Sequence, residues 1–459
     1  VQFAVGSQND PPGKEGLAYL TGEMLADAAT EKRSLDEILE ALYPLASSYD
    51  VRVDRERTTF TGRTHVDNLD AYLELFTDAF LHPRFVDSDF ERVKSDAIND
   101  IENTLRYSSD EELGKAALEE FVFRGTPYAH PSEGTVAGLR SITLDDVRNF
   151  YGRHFTVAAA LEGLGGGYDE SVVERLAAAI RELPRGETPS APDVAPARIE
   201  GREVLLIAKP GADASISFGF PLDVRRGERD FYALWIANSW LGEHRNQASH
   251  LFQVIREQRG LNYGDYSYIE AFPEGGHRSM PPVNVPRRQQ LFEVWIRTLP
   301  NDKAVFALRA ALRELQNLVD RGMTQQEFDL RRNFLKKYSL HFAETTSARL
   351  GYAIDDRFYG IAGEGHLARF RKLLDELTLD DVNAAVKRHL QYDDLKIAIV
   401  TGAPEALREA LVSGAPTPIE YPTPKPTAVL EQDQDIAAFP LAIPAERVTV
   451  VPVESVFER

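Results

Sequence analysis

The sequence predicts an α+β fold of two homologous domains, each a mostly antiparallel sheet with helices packed on one face. Three observations carry this expectation. The first is an internal repeat. Thr143–His154 (TLDDVRNFYGRH) and Thr378–His389 (TLDDVNAAVKRH) agree at seven of twelve positions, in register and 378 − 143 = 235 residues apart. Thr-x-x-Asp before an apolar periodicity is close to a helix capping box. Each copy then runs into a strand-like stretch ending in glycine, TVAAALEGLGGG and LKIAIVTG. A capped helix feeding a strand is common, but the same residues in the same context twice point to a duplicated unit. The second observation is Leu183–Gly201 (LPRGETPSAPDVAPARIEG), rich in Pro, Ala and Gly, which reads as an extended linker. The third is that helical and strand periodicities, with hairpins, mix on both sides of it. At 459 residues the chain is also too long for one ordinary core. We place an N-terminal domain at 1–188, the linker at 189–200 and a C-terminal domain at 201–459.

The elements follow in order. VQFAV reads as a strand, and the lack of an initiator Met ahead of it suggests a removed leader. In GLAYLTGEMLADAAT (Gly16–Thr30), Leu17, Leu20, Met24 and Leu25 fall at helical spacing. Gly22 interrupts that helix at a cost of roughly 1 kcal/mol against alanine, between Tyr19 and Glu23, which share a face. SLDEILEALYPLA opens on Ser34 and Glu37 as a capping box. VRVDRERTTFTGRT alternates like a hairpin. LDAYLELFTDAFL and DSDFERVKSDAINDIENTL carry the apolar stripes of helices. After the linker, EVLLIAKP and ASISFGF read as strands, DFYALWIANSWLG as a helix and LFEVWIRTLP as a strand. KAVFALRAALRELQNLV and TQQEFDLRRNFLKKYSLHF read as helices. The tail from Pro416 to Arg459, rich in Pro and Val, is expected to wrap an existing domain as an extended arm.

Composition excludes some functions. Acidic residues exceed basic ones by 72 − 52 = 20, which argues against binding a nucleic-acid backbone. That balance suits a basic or neutral peptide ligand, and serves solubility equally. There is no cysteine, hence no disulfide and no thiolate chemistry. No run of about 18 apolar residues is present, so no membrane span is expected.

Chemical motifs are sparse. None of the ten histidines pairs with another at the i, i+4 spacing that sets two zinc ligands on one helix face. HFAET places His341 and Glu344 at a suitable offset, but Thr345 stands where a second ligand would be. GLGGGYDE (Gly163–Glu170) lacks the Lys-Ser/Thr of a phosphate-binding loop. One stretch stands out: LFQVIREQRGLNYGDYSY (Leu251–Tyr268), a helix with Gly260 as its C-cap followed by an alternating strand. Arg256 at the helix end and Tyr263 at the strand start suit a peptide carbonyl or an oxyanion. The alternative is that Arg256 caps the helix and Tyr263 belongs to the core.

Ser249, Leu251, Phe252, Arg256, Glu257, Gly260, Leu261 and Tyr263 form the pattern SxLFxxxRExxGLxY. It resembles the C-terminal half of the pitrilysin/insulinase and mitochondrial processing peptidase family of zinc metallopeptidases. The resemblance extends through HPRFVDSDFERVKSDAINDIE, YAHPSEGTVAGLRSITLDDVRNFYGRHF and DIAAFPLAIPAERVTVVPVESVF, nearly the whole chain. It implies two homologous domains forming a clam-shell half over a peptide chamber. Active members carry an inverted zinc motif, His-x-x-Glu-His, on their first helix. Here Tyr19 takes the first His slot, Gly22 the catalytic Glu slot and Glu23 the second His slot, and the downstream ligand slot falls on Asp100. Two carboxylates without His make a poor zinc site, so no metal is expected on this chain. Arg256 and Tyr263 are kept, and in the family such a pair binds substrate near the zinc. The resemblance thus implies a chain inactive alone, whose partner is a catalytic subunit carrying the zinc motif and whose ligand is a peptide. The alternative is a structural scaffold like the respiratory-complex core proteins that resemble this family. A bacterial periplasm is the expected setting, with a mitochondrial matrix as the alternative.

Overall fold

In the computed structural model, which describes residues 1–187 and 190–459, the alternating segment after Ser47 forms the expected hairpin. Its strands are β2 (Ser48–Val53) and β3 (Thr58–Arg63). With β1 (Gln2–Phe3) and β4 (Ala160–Leu161) they make a four-stranded antiparallel sheet in the order β2-β3-β1-β4. The second sheet contains β5 (Arg202–Ala208), β6 (Ala214–Leu222), β7 (Asp265–Tyr268), β8 (Gln290–Leu299), β9 (Leu395–Thr401) and β10 (Val448–Pro452). Its order is β10-β5-β9-β6-β8-β7; β5 pairs in parallel with β9 and β10, and the other pairs are antiparallel. The expected linker runs without regular structure among its described residues, and the boundary at 188/189 lies outside them.

Both repeats form the same device. Thr143 and Asp146 cap helix Leu144–His154 reciprocally, with Asp146 N–H donating to Thr143 Oγ1 (3.2 Å) and Thr143 N–H to Asp146 Oδ2 (2.8 Å). Thr378 and Asp381 do the same for helix Leu379–His389, at 3.2 and 3.0 Å. The first capped helix packs on helix Leu17–Ala26 and the second on helix Arg229–Gly242. The repeat is therefore one of packing as well as of letters.

The near-continuous apolar run in β5 reflects burial on both faces. Val204 and Leu206 enter the core built with helices Arg229–Gly242 and Ala304–Arg321, whereas Leu205 and Ile207 enter the core of the first half. On that second face lies helix Asp110–Phe123, which packs across β6 and β9. The tail departs from a purely extended arm. It contains helix Thr427–Ala437 before β10 joins the sheet edge, and Asp433 on that helix holds Arg259 Nε at 2.7 Å. Among the described residues no helix is long and apolar enough to cross a membrane.

Candidate functional site

Helix Leu17–Ala26 starts where Asp10 accepts the N–H groups of Gly16 and Ala18, each at 2.7 Å, satisfying donors that a helix start leaves free. Leu17, Leu20, Met24 and Leu25 are buried, and Tyr19 and Glu23 are half-buried. Gly22 has a packing reason. A Cβ there would lie 2.6 Å from Val53 Cγ2 and 3.4 Å from Val51 Cγ2, so the helix approaches β2 closely enough that any side chain would force Val53 to shift. Burial, and then the charges of Asp27, Asp100 and Glu133, push the Glu23 carboxyl up to about 7. Burial and the same acidic surroundings raise the Tyr19 phenol far above its ordinary range. Asp100 is exposed on the π-helical turn Asp100–Leu105 and accepts Thr104 Oγ1 at 3.3 Å.

These residues do not fit zinc. A zinc ligand must be deprotonated, yet the phenol is held neutral and Glu23 resists ionisation; no imidazole is present. Among the described residues no group of three or more His, Cys, Asp or Glu is arranged to hold a metal ion.

Tyr19 and Asp100 instead help to line a cleft of about 410 Å³ between the two halves. Seven carboxylates, Glu112, Glu133 and Glu293 among them, line it with Lys115 and His277; three of the seven are matched by arginines, Glu119 by Arg287 and Arg55, Glu270 by Arg226 and Glu274 by Arg278. Lys115 Nζ donates to Phe272 O at 2.9 Å and lies 4.7 Å from the Trp295 ring and 4.9 Å from the Tyr268 ring. Glu293 is buried, its Oε1 lacks a hydrogen-bond partner among the described residues, and burial pushes its carboxyl up to about 7 against the pull of Lys115. Sequence reading missed Glu112, Lys115, Glu133 and Glu293 as site residues. Glu112 and Lys115 are three apart on helix Asp110–Phe123, but Glu133 and Glu293 come from separate segments, and only the closure of the halves brings them to that helix.

The second candidate group lies elsewhere. The helix expected before Gly260 has a π-helical turn over Phe252–Glu257, and Gly260, at φ 71°, ends it in the left-handed region. Asn262 then clamps the loop: its Nδ2 donates to Gly264 O (3.2 Å), Asp265 Oδ1 (2.8 Å) and Arg297 O (3.1 Å). Between those anchors Tyr263 is 76% exposed, so it is not a core residue. Arg256 is half-buried, donates to Glu257 Oε1 at 2.9 Å and lies 4.6 Å over the Phe252 ring; among the described residues it bonds no helix-end carbonyl. Phe252 belongs to a buried cluster with Tyr266, Tyr268, Phe272 and Trp295, and Phe272 lines the acidic cleft on its far side. Arg256 and Tyr263 do not line that cleft.

Known proteins share this architecture. The family model described as insulinase (peptidase family M16) matches residues 1–136, and the one described as peptidase M16 inactive domain matches residues 141–335. A non-peptidase homolog from Helicobacter pylori is 24% identical over 401 residues, covering 87% of each chain. An uncharacterized zinc protease from Streptomyces coelicolor is 26% identical over 333 residues, covering 70% of this chain and 67% of its own. Among solved structures, a peptidase M16 inactive domain from Pseudomonas fluorescens superposes with a TM-score of 0.74 at 23% identity, covering 87% of this chain and 91% of its own. A protease from Helicobacter pylori gives 0.73 at 18% identity, with 87% and 92% covered.

Proposed function

This chain belongs to the insulinase family of peptidases, and from that premise we propose that it is the non-catalytic, substrate-binding subunit of a heterodimeric zinc metallopeptidase. The coarser part of this reading, an M16-type chain of the inactive kind, rests on the match to the inactive domain and on Tyr19, Gly22 and Glu23 where ligands and base would be. In the proposed assembly the zinc sits on a partner of the same family that carries the inverted motif. Arg256 and Tyr263 reach into that partner's site, where guanidinium and phenol hydrogen-bond the peptide and the developing oxyanion. The folding units are the domains at 1–188 and 201–459, joined by the linker at 189–200.

The observation that carries this reading is the presentation of Tyr263. It is 76% exposed, the clamped Asn262 precedes it, and its hydroxyl has no hydrogen-bond partner among the described residues. That exposure leaves the phenol free to meet a ligand or a partner chain. Asp100 and Glu112, cleft carboxylates with no ion pair among the described residues, support a basic peptide as the ligand. We place the assembly in a bacterial periplasm, with a mitochondrial matrix as the alternative.

The test is co-expression with a relative that carries the zinc motif. The expected product is a stable heterodimer with peptidase activity that neither chain has alone, holding zinc by elemental analysis, while this chain purified alone holds none in stoichiometric amount. A partner equally active without this chain would refute the proposal. A stable complex without peptidase activity would put the scaffold reading ahead.

A further inference from the structure

A second cavity, of about 610 Å³, opens where the two halves and the linker meet. Arg57, Arg225, Arg226, Arg288 and Arg369 line it against two carboxylates, Glu56 and Glu228. In a chain of net charge −20 this concentration of cations runs against the overall balance.

Two of the five guanidiniums are neutralised inside the fold. Arg226 makes a two-pronged contact with Glu270 at 2.8 and 3.0 Å and holds Asp355 at 3.2 Å. Arg288 holds Glu56 at 2.8 Å and Gln8 at 2.6 Å. The other three are not so matched. Arg57, in the turn between β2 and β3, donates only to the Glu56 carbonyl at 3.3 Å and lies 4.8 Å over the Phe358 ring; it has no ion pair among the described residues. Arg369, exposed on helix Gly365–Glu376, has neither an ion pair nor a hydrogen-bonded side-chain partner among them. Arg225 has Glu228 at 3.5 Å, too far for a strong bond. Burial pulls the Arg57 guanidinium down from its ordinary range, as befits a cation short of a counter-ion.

A guanidinium presents a planar fork of donors that matches phosphate and carboxylate oxygens. A cavity of this volume admits a small molecule. We propose that this pocket binds a small, multiply charged oxyanion, phosphate- or carboxylate-bearing, through Arg57, Arg225 and Arg369, with Phe358 bracing Arg57 from behind. This site is independent of the Arg256 and Tyr263 pair and of the acidic cleft.

The test uses the full chain and three probes: inorganic pyrophosphate, citrate, and sodium chloride at matched ionic strength. Thermal unfolding and isothermal titration are the readouts. Pyrophosphate is expected to raise the melting temperature saturably, by about 2–4 °C at about 100 Kd, where chloride does not. Arg57→Gln and Arg369→Gln are each expected to weaken pyrophosphate binding by about tenfold, the equivalent of one charged hydrogen bond. A citrate response equal to that of pyrophosphate assigns a carboxylate-bearing ligand, and a response to pyrophosphate alone assigns a phosphate-bearing one. No response beyond chloride would overturn the proposal, as would undiminished affinity in Arg369→Gln, an exposed position whose substitution leaves the turn at Arg57 intact.

Discussion

Gly22, which the family resemblance places in the slot of the general base, has neighbours that oppose a larger side chain there. A side chain there meets Val53 Cγ2 at 2.6 Å on a stiff β-branched residue. Gly22→Glu should therefore cost about 1–3 kcal/mol, the usual range for overpacking. Val53→Ala should couple favourably with it, which urea unfolding of the two single variants and the double variant would measure. Glu23 makes a pH-dependent contribution. Its carboxyl titrates at about 7 in the fold against the ordinary 4.5, so ionisation costs stability progressively as pH rises from about 4.5 through 7. Glu23→Gln removes that cost. The substitution should leave the melting temperature nearly unchanged at pH 4 and raise it at pH 8; a benefit that does not grow with pH would show that Glu23 is already ionised in the fold. At the proposed composite site, Tyr263→Phe deletes one hydroxyl from an exposed ring. Turnover of a fluorogenic peptide by the heterodimer should drop roughly a hundredfold, the cost of one oxyanion donor, with thermal stability and the partner's zinc unchanged. Arg256→Ala should be similar or worse, and Arg256→Lys should rescue poorly for want of the planar fork.

At the scale of elements, the loop from Gly260 to Asp265 matters more than its length suggests. Three hydrogen bonds from one Asn262 amide fix the turn that carries Tyr263, tying it to β7 and to Arg297 on β8. Asn262→Ala touches neither substrate nor zinc. It should lower heterodimer turnover by loosening the presentation of Tyr263, since small misplacements of a positioned group are costly. The check is a comparison with Asn262→Ala/Tyr263→Phe. If Asn262 acts through Tyr263, the double variant is no slower than Tyr263→Phe alone; a purely structural role would make the two losses multiply.

Over the whole molecule, the halves are stapled by buried ion pairs. Arg287, ahead of β8, reaches Asp54 in the β2–β3 turn at 3.0 Å and Glu119 on helix Asp110–Phe123 at 2.7 Å; Arg55 holds the other Glu119 oxygen at 2.8 Å. Burial alone would raise the Glu119 carboxyl, but Arg287 and Arg55 hold it down at about 2. Arg287→Met leaves the buried Asp54 and the half-buried Glu119 without their shared cation and should cost about 3 kcal/mol at pH 7. The sign with pH follows from the lowered value. The contribution of Glu119 is present above about 4.5 and is lost as pH falls toward 2. The gap between wild type and Arg287→Met in urea unfolding should therefore narrow between pH 5 and pH 2.5, and a constant gap would assign the loss to packing instead.

The sequence by itself determined the parts whose signals are local. Capping boxes at Ser34, Thr143 and Thr378, the strand segments of β2, β3, β6 and β8, and the helical stripes are set by residues two to four apart, and the structure forms those elements. The duplication was legible because the Thr143 and Thr378 helices kept their residues along with their packing partners. The Arg256 and Tyr263 pair, and the positions Tyr19, Gly22 and Glu23, could be singled out from sequence because each lies within one continuous motif. Tertiary structure alone decided the rest. Whether Tyr263 is core or exposed depends on how Asn262 anchors a turn to a strand that begins near residue 290. Gly22 needs β2, some thirty residues away, to explain it. The acidic cleft, the aromatic grip on Lys115 and the arginine pocket each draw side chains from segments more than a hundred residues apart. Charge and burial depend on distance through space, and no period along the chain encodes a neighbour that only the closing of two halves supplies.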